Sequence, residues 1–373
     1  MQDIVLFDQL TSASGYRIGV ATLNAEKSLN ALTLEMIRLL QAQLSAWEDD
    51  PSVVAVLLRG TGDKAFCAGG DVRSLRSALI EDDRHPNPHA VAFFSEEYRL
   101  DYHIHCYRKP LIVWGSGIVM GGGLGLMAGA SHRVATASTR IAMPEITIGL
   151  YPDVAGSWFL QRMPAKLGLF LGLTGAPLNA HDALLCNLAD HVLAPDQLDA
   201  LLQALQQADW SAVPGQHHGQ VSALLNELEA ASGEPMPEAN TARNLLAVHR
   251  LMNKGSLEAV AAALHGTAFE DPWLAAAAKS FAHGCPVSAA VTWEIFRRAK
   301  HLSLAEALRM EMTLSVNFCS KPDFREGVRA LLVDKDRKPQ WLYAELAAIP
   351  AGWVASHFQS PWRAADHPLA ALQ

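Results

Sequence analysis

Two glycine turns and two acids downstream of them are the residues of this chain best suited to chemistry. The turns are Cys67-Ala68-Gly69-Gly70-Asp71 and Gly121-Gly122-Gly123-Leu124-Gly125; the acids are Glu145, in Met143-Pro144-Glu145, and Asp153, after Pro152. Glycine at a strand-to-helix junction lets the main chain approach a ligand closely. It also leaves the first helical N–H groups pointing outward, toward an oxygen that gains negative charge. Two such junctions that meet form an oxyanion hole. Paired amides with two carboxylates suit acyl transfer.

Rival patterns explain less. Gly123 to Ala128 matches the GxGxxA dinucleotide fingerprint, and Glu145 lies near the ~20-residue offset of its ribose-binding acid. Glu145, however, follows Pro144 beyond the next strand, whereas the ribose-binding acid ends that strand, and Cys67 to Asp71 is left without a role. Ser116 has Trp114 and Ile118 where a nucleophile elbow needs glycines. His103 and His105 diverge on a helix, and His217-His218 falls in a polar stretch. With neither HExxH nor clustered acidic ligands, no metal is expected. An isolated acid is ordinarily a loop residue or helix cap, but beside two glycine turns a functional role outweighs that reading.

The elements that must position these residues follow from periodicity. Residues 3–8 and 16–23 alternate as a hairpin around Ser12 to Gly15. Thr33 caps a helix whose apolar face is Met36, Ile37, Leu40, Leu44 and Trp47, ending at Asp49-Asp50-Pro51. Val53 to Leu58, a continuous apolar strand, leads into the first glycine turn. Leu111 to Trp114 is a second buried strand, Gly121 to Ala130 a glycine-opened helix and Arg133 to Ala137 the next strand. Residues 78–91, polar and broken by Pro86 and Pro88, read as a surface loop able to act as a lid. From about Lys166, helical patterns dominate, at 197–208, 221–231, 256–264, 287–299 and 303–317; 211–220 and 232–240 read as exposed connectors. The expectation is an α/β core with the active site over residues 1–210 and a mainly helical region completing the site over 211–373.

Composition narrows the partners. At 373 residues, half of them apolar, the chain can bury a substantial core. A net charge of −8 without clustered Lys and Arg argues against nucleic acid and anionic membranes. Five scattered cysteines, with no CxxC, indicate neither a disulfide framework nor zinc and suit a reducing compartment. No apolar run reaches the ~18 residues of a membrane span, since Pro110 to Ala130 is broken by seven glycines. The N-terminus shows no secretory pattern, so a soluble, cytoplasmic protein is expected.

Lys64 to Asp71, Gly117 to Gly125 and the Met143-Pro144-Glu145 segment resemble the enoyl-CoA hydratase/isomerase (crotonase) superfamily. Met143 to Val154, and Pro322 to Asp336 late in the chain, resemble more closely its branch of acyl-CoA thioester hydrolases. The resemblance covers roughly residues 3–341. It implies a crotonase-like spiral of ββα units with a helical C-terminal region. The implied substrate is an acyl-CoA thioester, 3-hydroxyisobutyryl-CoA or 3-hydroxypropionyl-CoA in valine breakdown, with no cofactor beyond the CoA the substrate carries. By the same resemblance the Gly70 and Gly122 amides hold the oxyanion, Glu145 and Asp153 are catalytic, and Glu97, Ala68, Val72 and Gly122 bind substrate. For Glu97, in Phe93 to Tyr98, a solvated helix face is the alternative. A homo-oligomer is compatible with all of this.

One departure bears on the reaction. Hydratases of the superfamily place a second glutamate at the last position of the second turn, and here that position is Gly125. Adding water across a double bond needs both a base and an acid, each worth about 10²–10⁴-fold, whereas thioester hydrolysis needs less. Glu145 then acts as general base or as nucleophile, and Asp153 orients the 3-hydroxyl or shares a proton with Glu145. A hydratase or isomerase using a single acid, and a non-catalytic acyl-CoA-binding protein, are the alternatives. A smaller departure is Ala155, where the hydrolase pattern usually has glycine.

Overall fold

The computed structural model describes residues 3–233 and 236–373. Internal contacts divide the chain into two units, each of three segments. Unit 1 comprises Met1–Gly70, Leu100–Ile141 and Leu178–Asn240; unit 2 comprises Asp71–Arg99, Ala142–Pro177 and Thr241–Gln373. The boundary expected after residue 210 falls inside the last segment of unit 1.

Unit 1 carries the strands β1 (Val5–Thr11), β2 (Arg17–Leu23), β3 (Val53–Gly60), β4 (Ala65–Cys67), β5 (Leu111–Gly115), β6 (Ile118–Met120), β7 (His132–Ala135), β9 (His191–Val192) and the first two residues of β8 (Arg140–Ala142). Six form one sheet in the order β1-β2-β3-β5-β7-β9, and β4-β6-β8 form a smaller one. Only the β1–β2 hairpin of the large sheet is antiparallel; β2–β3, β3–β5, β5–β7 and β7–β9 are parallel. A parallel sheet is covered on both faces, which is why Val53 to Leu58 reads as one apolar run.

One face receives the helix Leu34–Asp49, whose cap Thr33 accepts from Met36 N–H at 3.2 Å. Its Trp47 lies flat against Gly19, where a Cβ would stand 2.7 Å from the indole ring. On the other face Ile18, Val20, Val54 and Leu57 pack with Leu201 and Leu205 of the helix Leu198–Gln207 and with Val221 and Leu225 of the helix His217–Ser232. The expected connector at 211–220 is therefore largely structured. His217 opens the helix, buried, with its ring edge-on to Trp210 at 5.6 Å and its Nε2 bonded to Ser211 O at 2.9 Å. The connector expected at 232–240 falls partly outside the described residues.

Unit 2 is helical. The patterns at 256–264, 287–299 and 303–317 appear as Leu257–Gly266, Pro286–Arg298 and Leu304–Cys319. The last begins at a Ser303–Glu306 capping box and is buried continuously from Glu311 to Cys319. The surface loop expected at 78–91 shrinks to residues 82–87. The helix Val72–Glu81 runs up to it and the helix Pro88–His105 begins directly after it. Pro88 does not break the chain's helical course but is a first helical residue, where its missing N–H would have had no partner anyway. Among the described residues no helix is long and apolar enough to cross a membrane.

Candidate active site

The first glycine turn is shaped by its supports within unit 1. Leu29 and Asn30 both adopt a φ of 55°, which turns the chain so that Asn30 Nδ2 donates to Thr61 O and Ala65 O, each at 3.0 Å. Leu29 O then accepts from Ala68 N–H at 3.0 Å, and Leu32 N–H donates to Gly69 O at 2.8 Å. Gly69 has a φ of +113°, a conformation that side-chain-bearing residues rarely adopt. Ala68 and Gly70 are half-buried.

The second turn follows β6. Gly121, at φ 47° and ψ −125°, precedes the helix Gly122–Ala128 and offers it no side-chain cap; its carbonyl accepts from Leu124 N–H at 2.8 Å and Gly125 N–H at 3.1 Å. Gly122 is the first helical residue, so its N–H has no acceptor in its own helix. The two turns meet as expected. A Cβ on Gly123 would lie 2.3 Å from Cys67 O, and one on Gly69 would lie 3.5 Å from Met120 O. Gly123 is thus a packing glycine that brings one turn onto the other. Gly125 is buried and carries no acid.

The carboxylates belong to unit 2. Glu145 opens the short turn Glu145–Ile148, closed by Gly149 at φ 69°, and Leu150 N–H returns to Glu145 O at 3.0 Å. A Cβ on Gly149 would stand 2.4 Å from Asp323 O, and one on Gly327 would stand 2.3 Å from Ile148 C. The late motif Pro322 to Asp336 therefore packs directly on the turn that presents Glu145. Glu145 is 5 % exposed, and among the described residues its Oε2 is buried without a hydrogen-bond partner. Burial first, and then the charge of Asp153, push its pKa well above the ordinary carboxylate range.

Asp153 is equally buried, at 5 %, and Tyr98 O–H donates to its Oδ2 at 2.7 Å. Burial raises its pKa to about 6, against the lowering effect of Tyr98 and its own backbone N–H. The next two residues, Val154 and Ala155, have φ of 49° and 68°. This left-handed conformation costs about 1–2 kcal/mol per residue. The fully buried Glu311 holds it in place: its carboxyl accepts from Ala155 N–H at 2.8 Å, Ser157 N–H at 2.9 Å and Ser157 O–H at 2.5 Å. Ala155 thus keeps the backbone form a glycine would take. Burial lifts Glu311 to about 8.

These shifts set a pH dependence of stability. A carboxyl whose pKa is raised by folding binds its proton more tightly in the folded state. The stability it contributes is full below the unfolded pKa and is lost as pH rises through the folded one. The windows run from 3.8 to about 6 for Asp153 and from 4.5 to about 8 for Glu311. Thermal unfolding is therefore expected at steadily lower temperature as pH rises from 4.5 to 8, and Glu311→Gln should flatten that slope. An unchanged slope in the variant would contradict the assignment.

Glu97 is buried rather than on a solvated face, at 2 % exposure in the helix Pro88–His105. Its neighbour Tyr98 is the residue seen to reach Asp153. Val72 is the first residue of the helix Val72–Glu81, and Asp71 caps it by accepting from Ser74 N–H at 3.1 Å. Sequence reasoning missed Tyr98, Tyr151, Glu311 and Ser315. Glu311 and Ser315 stand one helical turn apart on a face otherwise marked by Leu308 and Met312, a polar pair where the pattern demands apolar residues. Among the described residues no group of three or more His, Cys, Asp or Glu side chains is placed to hold a metal.

A family model described as enoyl-CoA hydratase/isomerase matches residues 18–358, and the chain belongs to that family. The architecture is the crotonase fold. The particular relatives are more specific. A Danio rerio protein named 3-hydroxyisobutyryl-CoA hydrolase, mitochondrial, is 37 % identical over 95 % of this chain and 89 % of its own length. The Homo sapiens protein of that name is 35 % identical over 92 % and 86 %. An Arabidopsis thaliana protein named 3-hydroxyisobutyryl-CoA hydrolase 1 is 36 % identical over 94 % and 92 %. Among solved structures, a carnitinyl-CoA dehydratase from Mycobacterium thermoresistibile is 36 % identical, with a TM-score of 0.83 over 96 % of this chain and 97 % of its own. An enoyl-CoA hydratase from Rhodobacter sphaeroides 2.4.1 is 32 % identical, with a TM-score of 0.82 over 96 % and 98 %.

Proposed function

We propose that the chain hydrolyses the thioester of 3-hydroxyisobutyryl-CoA to the free hydroxy acid and CoA, a step of valine catabolism, and that it accepts 3-hydroxypropionyl-CoA as well. Relatives carrying the hydrolase name over nearly the whole chain support this reading. Within the chain the observation that carries it is Gly125, a buried helical glycine where a hydratase of the superfamily places its second carboxylate.

The roles follow from the chemistry. As water adds to the thioester carbonyl, negative charge develops on its oxygen, and the Gly70 and Gly122 amides are assigned to hold it. Removing one donor of this kind costs about 3–4 kcal/mol of transition-state stabilisation in comparable sites. Glu145 removes the proton from the attacking water, or attacks first to give a mixed anhydride that water then opens. Collapse of the tetrahedral intermediate breaks the C–S bond and releases CoA as thiol. Asp153 binds the 3-hydroxyl or shares a proton with Glu145; Glu97, Ala68 and Val72 complete substrate binding. No cofactor is invoked beyond the CoA carried by the substrate.

The dehydratase and hydratase titles of the two solved structures favour a second reading, addition of water to an enoyl-CoA by a single acid. A non-catalytic binder would release no thiol while CoA esters still raised its melting temperature. The substrate class is tested by thiol release across a panel of acyl-CoA esters. Short 3-hydroxyacyl esters should turn over faster than unsubstituted esters of equal length. Equal rates would remove the 3-hydroxyl, and with it the role of Asp153 as its ligand. Several animal relatives carry the word mitochondrial in their names, so the cytoplasmic placement rests on the sequence reading alone.

A further inference from the structure

Asp153 ends a line of buried hydroxyls whose protons run toward it. The Tyr98 hydroxyl donates to Asp153 Oδ2 at 2.7 Å and lies 2.7 Å from Ser315 Oγ. Ser315 Oγ lies 2.8 Å from Tyr151 Oη, which donates to Glu311 O at 2.7 Å. Tyr98, Tyr151 and Ser315 are fully buried, so these groups must satisfy one another, and each hydroxyl has one proton to give. The Tyr98 proton is spent on Asp153, so Ser315 gives its own to Tyr98 Oη. Tyr151 then divides its proton between Ser315 Oγ and the Glu311 carbonyl one helical turn earlier, a three-centre bond that leaves no contact unfilled. The N–H of Asp153 itself is a second donor to its carboxyl. The titratable groups that sense its charge are Glu145, Tyr98, Tyr151, Glu311 and Cys319. Among the described residues Tyr98 is the one of these that hydrogen-bonds it; the Glu311 carboxyl is spent on Ala155 and Ser157.

We propose that Tyr98 is a positioning residue that holds Asp153 as a fixed hydrogen-bond acceptor, so that the site takes acyl-CoA esters with a donor at the 3-position and rejects their 3-oxo counterparts. The inference rests on the reading of Asp153 as ligand of the 3-hydroxyl; it adds the polarity of that contact and the residue that sets it. An ionised carboxyl can only accept. A 3-hydroxyl gives it a proton, whereas a 3-oxo group sets a second acceptor against it and leaves both unsatisfied in a buried site. Without the Tyr98 hydroxyl, burial drives the Asp153 carboxyl toward its neutral form. A neutral carboxyl donates as well as accepts, and the distinction between hydroxyl and ketone is lost.

The test is equilibrium binding of a matched set of four-carbon esters, 3-hydroxybutyryl-CoA, butyryl-CoA and acetoacetyl-CoA, at neutral pH. The full-length Glu145→Gln protein is used, so that binding is read without turnover. The hydroxy ester should bind about tenfold more tightly than butyryl-CoA, and acetoacetyl-CoA no more tightly than butyryl-CoA. Adding Tyr98→Phe should bring the hydroxy and oxo esters to within about threefold of each other. Adding Ser315→Ala instead leaves the Tyr98 proton on Asp153 and should keep the two at least about tenfold apart. Were Tyr98 important for packing alone, Tyr98→Phe would weaken all the esters in proportion and preserve their ratios, which overturns the proposal. An oxo ester bound as tightly as the hydroxy ester with Tyr98 in place, or a ratio lost in Ser315→Ala, overturns it equally, and these two arms decide even where Tyr98→Phe fails to fold. Equal binding of the hydroxy and saturated esters removes Asp153 as ligand and the inference with it. Absence of thiol release from the parent protein counts against the hydrolase reading alone, because the binding series uses no turnover.

Discussion

Glu145→Gln is expected to lower thiol release by about 10²–10⁴-fold, with KM for the CoA ester changed by only a few-fold. The substitution keeps the shape of the side chain but removes its ability to accept a proton from water or to attack a carbonyl. On the proposed reading no second glutamate stands at the end of the second glycine turn, where the residue is Gly125. The fold should survive. The turn Glu145–Ile148 is held by backbone bonds and by the packing of Gly149 and Gly327, none of which uses the Glu145 side chain. A buried acid whose charged form is disfavoured also loses little by becoming a neutral amide. Steady-state thiol release, with the melting temperature measured beside it, checks the prediction. A folded variant with near-parental turnover would remove Glu145 from the reaction.

The largest stability effect is expected at Glu311. Glu311→Ala strands two buried N–H groups, those of Ala155 and Ser157, and releases a turn held at unfavourable φ. An unsatisfied buried donor costs about 1–3 kcal/mol, and a cavity the size of the lost side chain adds to that, so a total of about 3–5 kcal/mol is expected. Glu311→Gln, which keeps one acceptor oxygen, should lose much less. Asp153 immediately precedes the turn, so the alanine variant should also lose turnover. Denaturant unfolding of both variants checks the ordering; equal stability of Glu311→Ala and its parent would show that the turn holds itself.

Local chemistry made much of this fold legible. The hairpin, the Thr33-capped helix and the strand at Val53 each combine a periodic apolar pattern with a recognisable cap or turn, and each formed close to its expected bounds. Where proline and polar residues were read as loop, tertiary packing decided otherwise: Pro88 starts a helix and His217 is buried against Trp210. The glycine turns were legible as backbone devices because positive φ and close approach restrict the residue type. The supports of Asp153 were not. Tyr98, Tyr151, Glu311 and Ser315 lie up to 217 positions apart in sequence and have no fixed spacing to announce them. Only a polar pair on an apolar helix face hinted at two of them.

The most direct test of the central claim sets the two reactions against each other on one preparation. Purified protein is given 3-hydroxyisobutyryl-CoA with a thiol reagent, and crotonyl-CoA with its enoyl absorbance followed. Hydrolysis by way of Glu145, with no second acid at Gly125, predicts rapid thiol release from the first and no appreciable hydration of the second. Efficient hydration of crotonyl-CoA without thiol release from 3-hydroxyisobutyryl-CoA would contradict it.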